Sequence, residues 1–248
     1  MTHREQLFRN YYETHSRYLD DEAGKVAWFA QHLRQNYLPR MPGPQRGPRI
    51  LEIGCARGFM LSALAGLGYT DLTGVDLSPA DLDRARERVT GAELHCMDAV
   101  EFLHARHGAY DVIIAKAILE HQEKSAILPL LETLKHALRP GGRVLIEVPN
   151  MDWLMAAHER YMDFTHEVGF TRESLGQLLR LVYGNAAVHP VRDDGVGAAR
   201  FVRPVLRTAA AGLVGLVLRA LGNNAHETLW NARSILGVAT LAPVERPA

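Results

Sequence analysis

Residues 50–60 read Ile-Leu-Glu-Ile-Gly-Cys-Ala-Arg-Gly-Phe-Met. A short apolar run breaks at Gly54 and, past Gly58, gives way to an apolar pattern of helical spacing. Glycines let a backbone turn sharply and approach a ligand closely, and N–H groups at the start of a helix offer hydrogen bonds to it. The stretch therefore predicts a buried strand, a ligand-holding loop and a helix. The same alternation continues downstream. Strand-like runs at 49–53, 71–76, 92–97, 110–115 and 142–148 alternate with helical patterns at 59–67, 79–89 and 125–138. Strand and helix in turn predict an α/β fold with a parallel sheet and helices on both faces. Strands that are apolar without alternation predict a sheet buried on both sides.

Upstream, apolar and aromatic positions from 4 to 36, among them Leu7, Tyr11, Tyr12, Val26, Phe29 and Leu33, predict two helices interrupted near Gly24. Residues 39–48 hold four prolines and two glycines, so they can continue neither helix nor ladder and read as a linker. The expected division is a helical extension and linker over 1–48 and a main domain over 49–248, with a core at 49–150 and additions at 151–248. Residues 172–184 read as a helix with Thr171 as its N-cap. Residues 195–226 carry Arg200, Arg203, Arg207 and Arg219, no acidic residue, and an apolar run at 209–218.

The 248 residues carry 28 basic and 28 acidic side chains, a formal net charge of zero. That argues against nucleic acid, whose partners usually carry a basic excess. A hydrophobic share of 47% suits an ordinary packed domain. No run reaches the roughly 18 apolar residues of a membrane span, and residues 1–15 lack a signal-type apolar core, so the expected location is cytoplasmic. Cys55 and Cys96 stand at no metal-ligand spacing. They read as small buried hydrophobes, and no metal is expected.

The second strand ends at Asp76, where a carboxylate can accept both hydroxyls of a ribose. The third ends at Asp98, which can accept an adenine amino group, with Met97 and Val100 as apolar walls. The loop Gly54-Cys-Ala-Arg-Gly58 lacks the second and third glycines of the dinucleotide fingerprint. An adenosine without a diphosphate fits better than a nicotinamide dinucleotide, although a nicotinamide-dependent oxidoreductase stays an alternative.

With these pieces in order, residues 49–150 resemble the class I S-adenosylmethionine-dependent methyltransferases. The matching pieces are residues 50–58 for the glycine-rich motif, 74–87 for the ribose motif, 95–103 for the adenine motif, 110–121 for the fourth strand and 137–150 for the turn and strand that follow. Ala56 departs from the family's usual glycine. The resemblance implies a Rossmann-like sheet of seven mostly parallel strands, its last two an antiparallel pair placed at 186–192 and 234–241. Residues 195–226 would then be a helical insertion. It also implies bound S-adenosylmethionine, with Asp76 on the ribose, Asp98 on the adenine, and Glu52, Gly54, Cys55, Ala56 and Gly58 near the methionine portion. Leu77, Met97, Ala99 and Lys116 complete the expected cofactor contacts. Residues 160–179 look like the segment that follows the core in methyltransferases of glycan and cell-envelope biosynthesis.

Methyl transfer from a sulfonium is an in-line displacement that needs alignment and, for a hydroxyl acceptor, removal of a proton. His121, Asp163 and His166 are the expected catalytic residues, histidine being best suited to take a proton near neutral pH. The expected acceptor is a small molecule or a glycan, in the sharpest form a lipid-linked sugar. Residues 195–226 would then pair arginine with phosphate and rest an apolar helix on a membrane surface. A homodimer and a non-catalytic cofactor-binding protein are the remaining readings.

Overall fold

The computed structural model describes residues 6–8, 10–11, 24–193, 199–220, 229 and 231–243. Seven strands form one sheet: β1 Ile50–Ile53, β2 Leu72–Asp76, β3 Ala92–Cys96, β4 Tyr110–Lys116, β5 Leu138–Pro149, β6 Ala187–Pro190 and β7 Ser234–Thr240. Their order is β3-β2-β1-β4-β5-β7-β6. The first five are parallel, and β7 runs antiparallel to both β5 and β6. The predicted antiparallel pair is therefore present at the predicted place. The chain winds from β1 outward to β3, then returns to β4 on the other side of β1. Ligands of open α/β sheets bind at the carboxyl ends of strands beside such a reversal.

Successive side chains of a strand face opposite sides of the sheet, and here both sides are covered. Leu51, Ile53, Ile113 and Ala115 pack with α4 Ala99–Leu103, α5 Lys124–Ala137 and α7 Arg172–Tyr183. Ile50, Val112 and Ile114 face the other way, onto α1 Lys25–His32, α2 Phe59–Gly66 and α3 Pro79–Arg88. That is why β1 and β4 read as unbroken apolar runs. The edge strand β3 departs from the expectation: none of its residues is buried, and Cys96 is exposed, whereas Cys55 is buried as predicted.

Of the first predicted N-terminal helix, residues 6–8 and 11 are helical, and Tyr12 lies outside the described residues. The second predicted helix is α1, which starts at Gly24 (φ 83°) and widens into a π turn over Leu33–Tyr37 that buries Leu33, Asn36 and Tyr37. The proline-rich stretch is held down rather than loose. Tyr69 donates to the Pro42 carbonyl (2.9 Å), Arg143 donates to that of Arg40 (2.6 Å), and Met41 is buried. After β5 come a short α6, Ala156–Tyr161, and then α7, where Thr171 and Ser174 form a reciprocal capping box. The predicted insertion is α8, Ala199–Ala220.

Candidate active site

A cavity of about 720 Å³ opens at the carboxyl ends of β1, β2 and β4. Its floor is the loop predicted to hold the ligand. Gly54 has φ 70°, a left-handed conformation that favours glycine, and a Cβ there would displace the end of the Ile118 side chain, whose Cδ1 would lie 2.1 Å away. Ala56 also adopts a left-handed conformation (φ 43°), which costs a non-glycine residue about 1 kcal/mol. Ala56→Gly is accordingly expected to relieve the strain and, net of glycine's greater unfolded-state entropy, to raise Tm by about 2 °C. A calorimetric melt checks this.

Asp76 braces the loop: its carboxylate accepts from the Ala56 N–H and the Ser78 N–H, each at 2.8 Å. Burial pushes its pKa up to about 6 against the pull of those donors. Glu52 is buried beside it. Desolvation, then the neighbouring Asp76, hold the Glu52 carboxyl well above the usual range, and its Oε2 has no hydrogen-bond partner. Asp98 lines the cavity and also caps α4, accepting from the N–H groups of Val100 (2.8 Å) and Glu101 (3.2 Å). Cys55, Leu77, Met97, Ala99 and Lys116 also line the wall. Gly58 does not. It caps the start of α2 with φ 72°, and a Cβ there would meet Val89 and Ala85 behind the loop.

Lys116 leads into a network that was not visible in the sequence. Its Nζ lies 3.3 Å from Glu147 Oε1, and Glu147 Oε2 accepts from His32 Nε2–H and from the Tyr37 hydroxyl, each at 2.8 Å. Burial alone would push the Glu147 carboxyl up. The Lys116 ammonium and His32, with the two hydrogen bonds, outweigh that and hold it at about 2.

At the other end of the cavity His121 stands in the wall, delivered by a turn after β4 whose Ala117 has φ 55°. Its Nδ1 lies 2.8 Å from Thr165 Oγ1, whose hydroxyl donates to Asp163 Oδ1 at 2.8 Å. His166 packs edge-on against the His121 ring with centroids 4.7 Å apart. The three residues predicted to be catalytic thus share one neighbourhood, although Asp163 and His166 stand behind the cavity wall. Tyr11 donates to Asp163 Oδ2 at 2.5 Å, and Phe8 and Tyr11 both set ring edges against His121. These N-terminal aromatics, with Phe29, line the cavity. Helical spacing marked Tyr11 and Phe29 as apolar positions, and nothing local marked any of the three as part of a site.

The residues fit S-adenosylmethionine on their own geometry: a glycine-bearing loop, an acceptor at Asp76, a carboxylate edge at Asp98, and an orphaned buried acid at Glu52 suited to the cofactor's positive end. Comparison with known proteins agrees. Residues 12–182 match the family model Methyltransf_23, described as a methyltransferase domain. The chain is 27% identical over 146 residues to a ubiquinone biosynthesis O-methyltransferase of Acinetobacter baylyi. It is 31% identical over 131 residues to that of Cronobacter sakazakii. The alignments cover 52% and 50% of this chain and 60% and 53% of those relatives, so the chain spans little more than half of their length. Both of these relatives are named for ubiquinone biosynthesis. A SAM dependent methyltransferase from Archaeoglobus fulgidus superposes over 93% of this chain and 99% of its own with a TM-score of 0.66 at 18% identity. A Burkholderia thailandensis N1-methyltransferase bound to 1,6-didemethyltoxoflavin and S-adenosylhomocysteine covers 96% of this chain and 87% of its own, with a TM-score of 0.58 at 17% identity. At such identities these likenesses show the fold alone. The match over most of the chain leaves the nicotinamide reading without support, and the protein belongs to the class I S-adenosylmethionine-dependent methyltransferase family.

Proposed function

We propose that the protein transfers a methyl group from S-adenosylmethionine to a hydroxyl of an apolar small-molecule acceptor. The observation that carries this reading is a single cavity with nucleoside-type acceptors, Asp76 and Asp98, at one end and His121 with its Thr165–Asp163 relay at the other. The cofactor supplies an activated methyl on a sulfonium. The chain's own tasks are to hold the acceptor oxygen in line, exclude water and manage the hydroxyl proton. Thr165 spends its proton on Asp163, so His121 Nδ1 is the donor in its bond to Thr165 and the ring's lone pair sits on Nε2. His121 is the group that meets the acceptor's hydroxyl, and Asp163 is a positioning residue. The matched relatives are named as O-methyltransferases, which agrees with oxygen as the atom methylated.

The segment holding Asp163 and His166 exposes two aromatic rings, Tyr161 (78%) and Phe164 (90%), a surface suited to apolar contact. Along α8, Phe201, Val202, Val205, Leu206, Leu213, Leu216 and Val217 are 51–68% exposed. At 100° per residue these positions fall within one half of the helix. An exposed apolar helix face fits a membrane surface. No helix among the described residues is long and apolar enough to cross one. One experiment tests both readings: labelled S-adenosylmethionine, phenolic, aliphatic and sugar acceptors, with and without anionic vesicles. Label in an ether of an apolar hydroxyl compound, and co-sedimentation with vesicles at physiological salt, are expected. Label only on nitrogen, or none with any acceptor, refutes O-methylation. A protein that dimerises and ignores vesicles assigns α8 to a second copy.

A further inference from the structure

Glu120 and His121 are adjacent in the chain and His166 follows 45 residues later, so no metal-ligand spacing is visible in the sequence. One ligand atom from each of Glu120, His121 and His166 lies within 4.8 Å of the other two. Glu120 is 2% exposed, and neither of its carboxylate oxygens has a hydrogen-bond partner. An unsatisfied buried carboxylate is costly and calls for a cation or a donor. His166 Nδ1 lies 2.7 Å from the Glu159 carbonyl. A carbonyl only accepts, so Nδ1 carries the proton and the lone pair sits on Nε2, the same tautomer as His121. Metal-ligating histidines typically give their other N–H to a carbonyl, carboxylate or similar acceptor in this way.

We infer that Glu120, His121 and His166 form a binding site for a first-row divalent transition ion, at the cavity wall where His121 stands. Two imidazoles and one carboxylate suit zinc, cobalt, manganese or iron, whereas magnesium and calcium favour all-oxygen sets. The inference rests on the hydroxyl-acceptor reading. A hydroxyl bound to the ion loses its proton to water, its oxygen forms the new bond to the methyl carbon, and the carbon–sulfur bond breaks to release S-adenosylhomocysteine. His121 then serves the acceptor hydroxyl through the ion it holds, in place of direct contact by its imidazole, and His166 is its fellow ligand.

The test uses the full chain stripped with a chelator and titrated with Co2+ while the visible spectrum is followed; S-adenosylmethionine binding is measured in parallel as a check on folding. One equivalent of Co2+ should bind with visible d–d bands, be displaced by Zn2+ and resist excess Mg2+. Glu120→Gln and His166→Ala should each weaken it roughly tenfold or more while cofactor binding persists. The chain has 12 histidines, so an adventitious imidazole site is the rival outcome. Cobalt bound equally well by both variants, or not bound stoichiometrically by the unaltered chain, overturns the inference. Methyl transfer that continues at full rate in chelator also overturns it, while leaving the O-methyltransferase reading standing.

Discussion

Asp76→Ala is expected to weaken S-adenosylmethionine binding by about a hundredfold or more, read by calorimetry. The carboxylate serves twice. In the proposed reading it accepts ribose hydroxyls, and it already holds the Ala56 and Ser78 N–H groups that shape the loop. Hydrogen bonds to charged groups are worth about 1.5–3 kcal/mol each, and alanine forfeits both roles. Asp76→Asn keeps an acceptor oxygen and should fall between the two. Because burial holds Asp76 at about 6, its carboxylate is increasingly protonated as pH falls below that value. Affinity should therefore decline from pH 7 to pH 5 in the unaltered chain, with Asp76→Asn much flatter over that range. Unchanged affinity in Asp76→Ala would remove Asp76 from the cofactor site.

Glu147→Ala should cost about 3–5 kcal/mol of stability, since breaking one side of a buried ion pair strands the remaining charge. Lys116, His32 and the Tyr37 hydroxyl would all lose their acceptor. For a chain of this size that lowers Tm by roughly 10 °C. The folded pKa, at about 2, lies below the ordinary value of 4.5. The corresponding stability of about 3 kcal/mol is complete above pH 4.5 and is lost as pH falls from there toward 2. Acid unfolding followed by circular dichroism should show a shallower loss over that interval in Glu147→Gln. If Glu147→Ala melts within a degree or two of the unaltered protein, the network is not what joins α1 to the sheet.

What could be read from the sequence follows from how local each signal is. The run at 50–53 stays apolar because both faces of β1 are covered, and the loop after it turns on its own glycines, so strand, loop and helix were visible together. Thr171 and Ser174 cap one another across three residues, and that too is legible. Asp76 and Asp98 stand at strand ends, where position alone brings them to the cavity. Gly58 looked equivalent to Gly54, but its neighbours Val89 and Ala85 are set by α3 and appear only after folding. Glu147 reads as one acid in an apolar strand. Two of its three partners, His32 and Tyr37, arrive from α1 and from the π turn after it, more than a hundred residues earlier in the chain. Glu120, His121 and His166 carry no local mark of belonging together, because the turn at Ala117 and the loop before α7 are what bring them face to face.

The position of β7 also bears on the birth of the protein. This strand lies between β5 and β6, although it is made last of the seven. As the chain leaves the ribosome, the first five strands can pair in the order of synthesis, while β6 has no neighbour until residues 234–240 follow the long helix between them. The nascent sheet therefore presents the open edge of β5 for as long as those residues take to emerge. Unpaired edges and exposed apolar surface invite aggregation, so the strand made last is also the one that closes this liability.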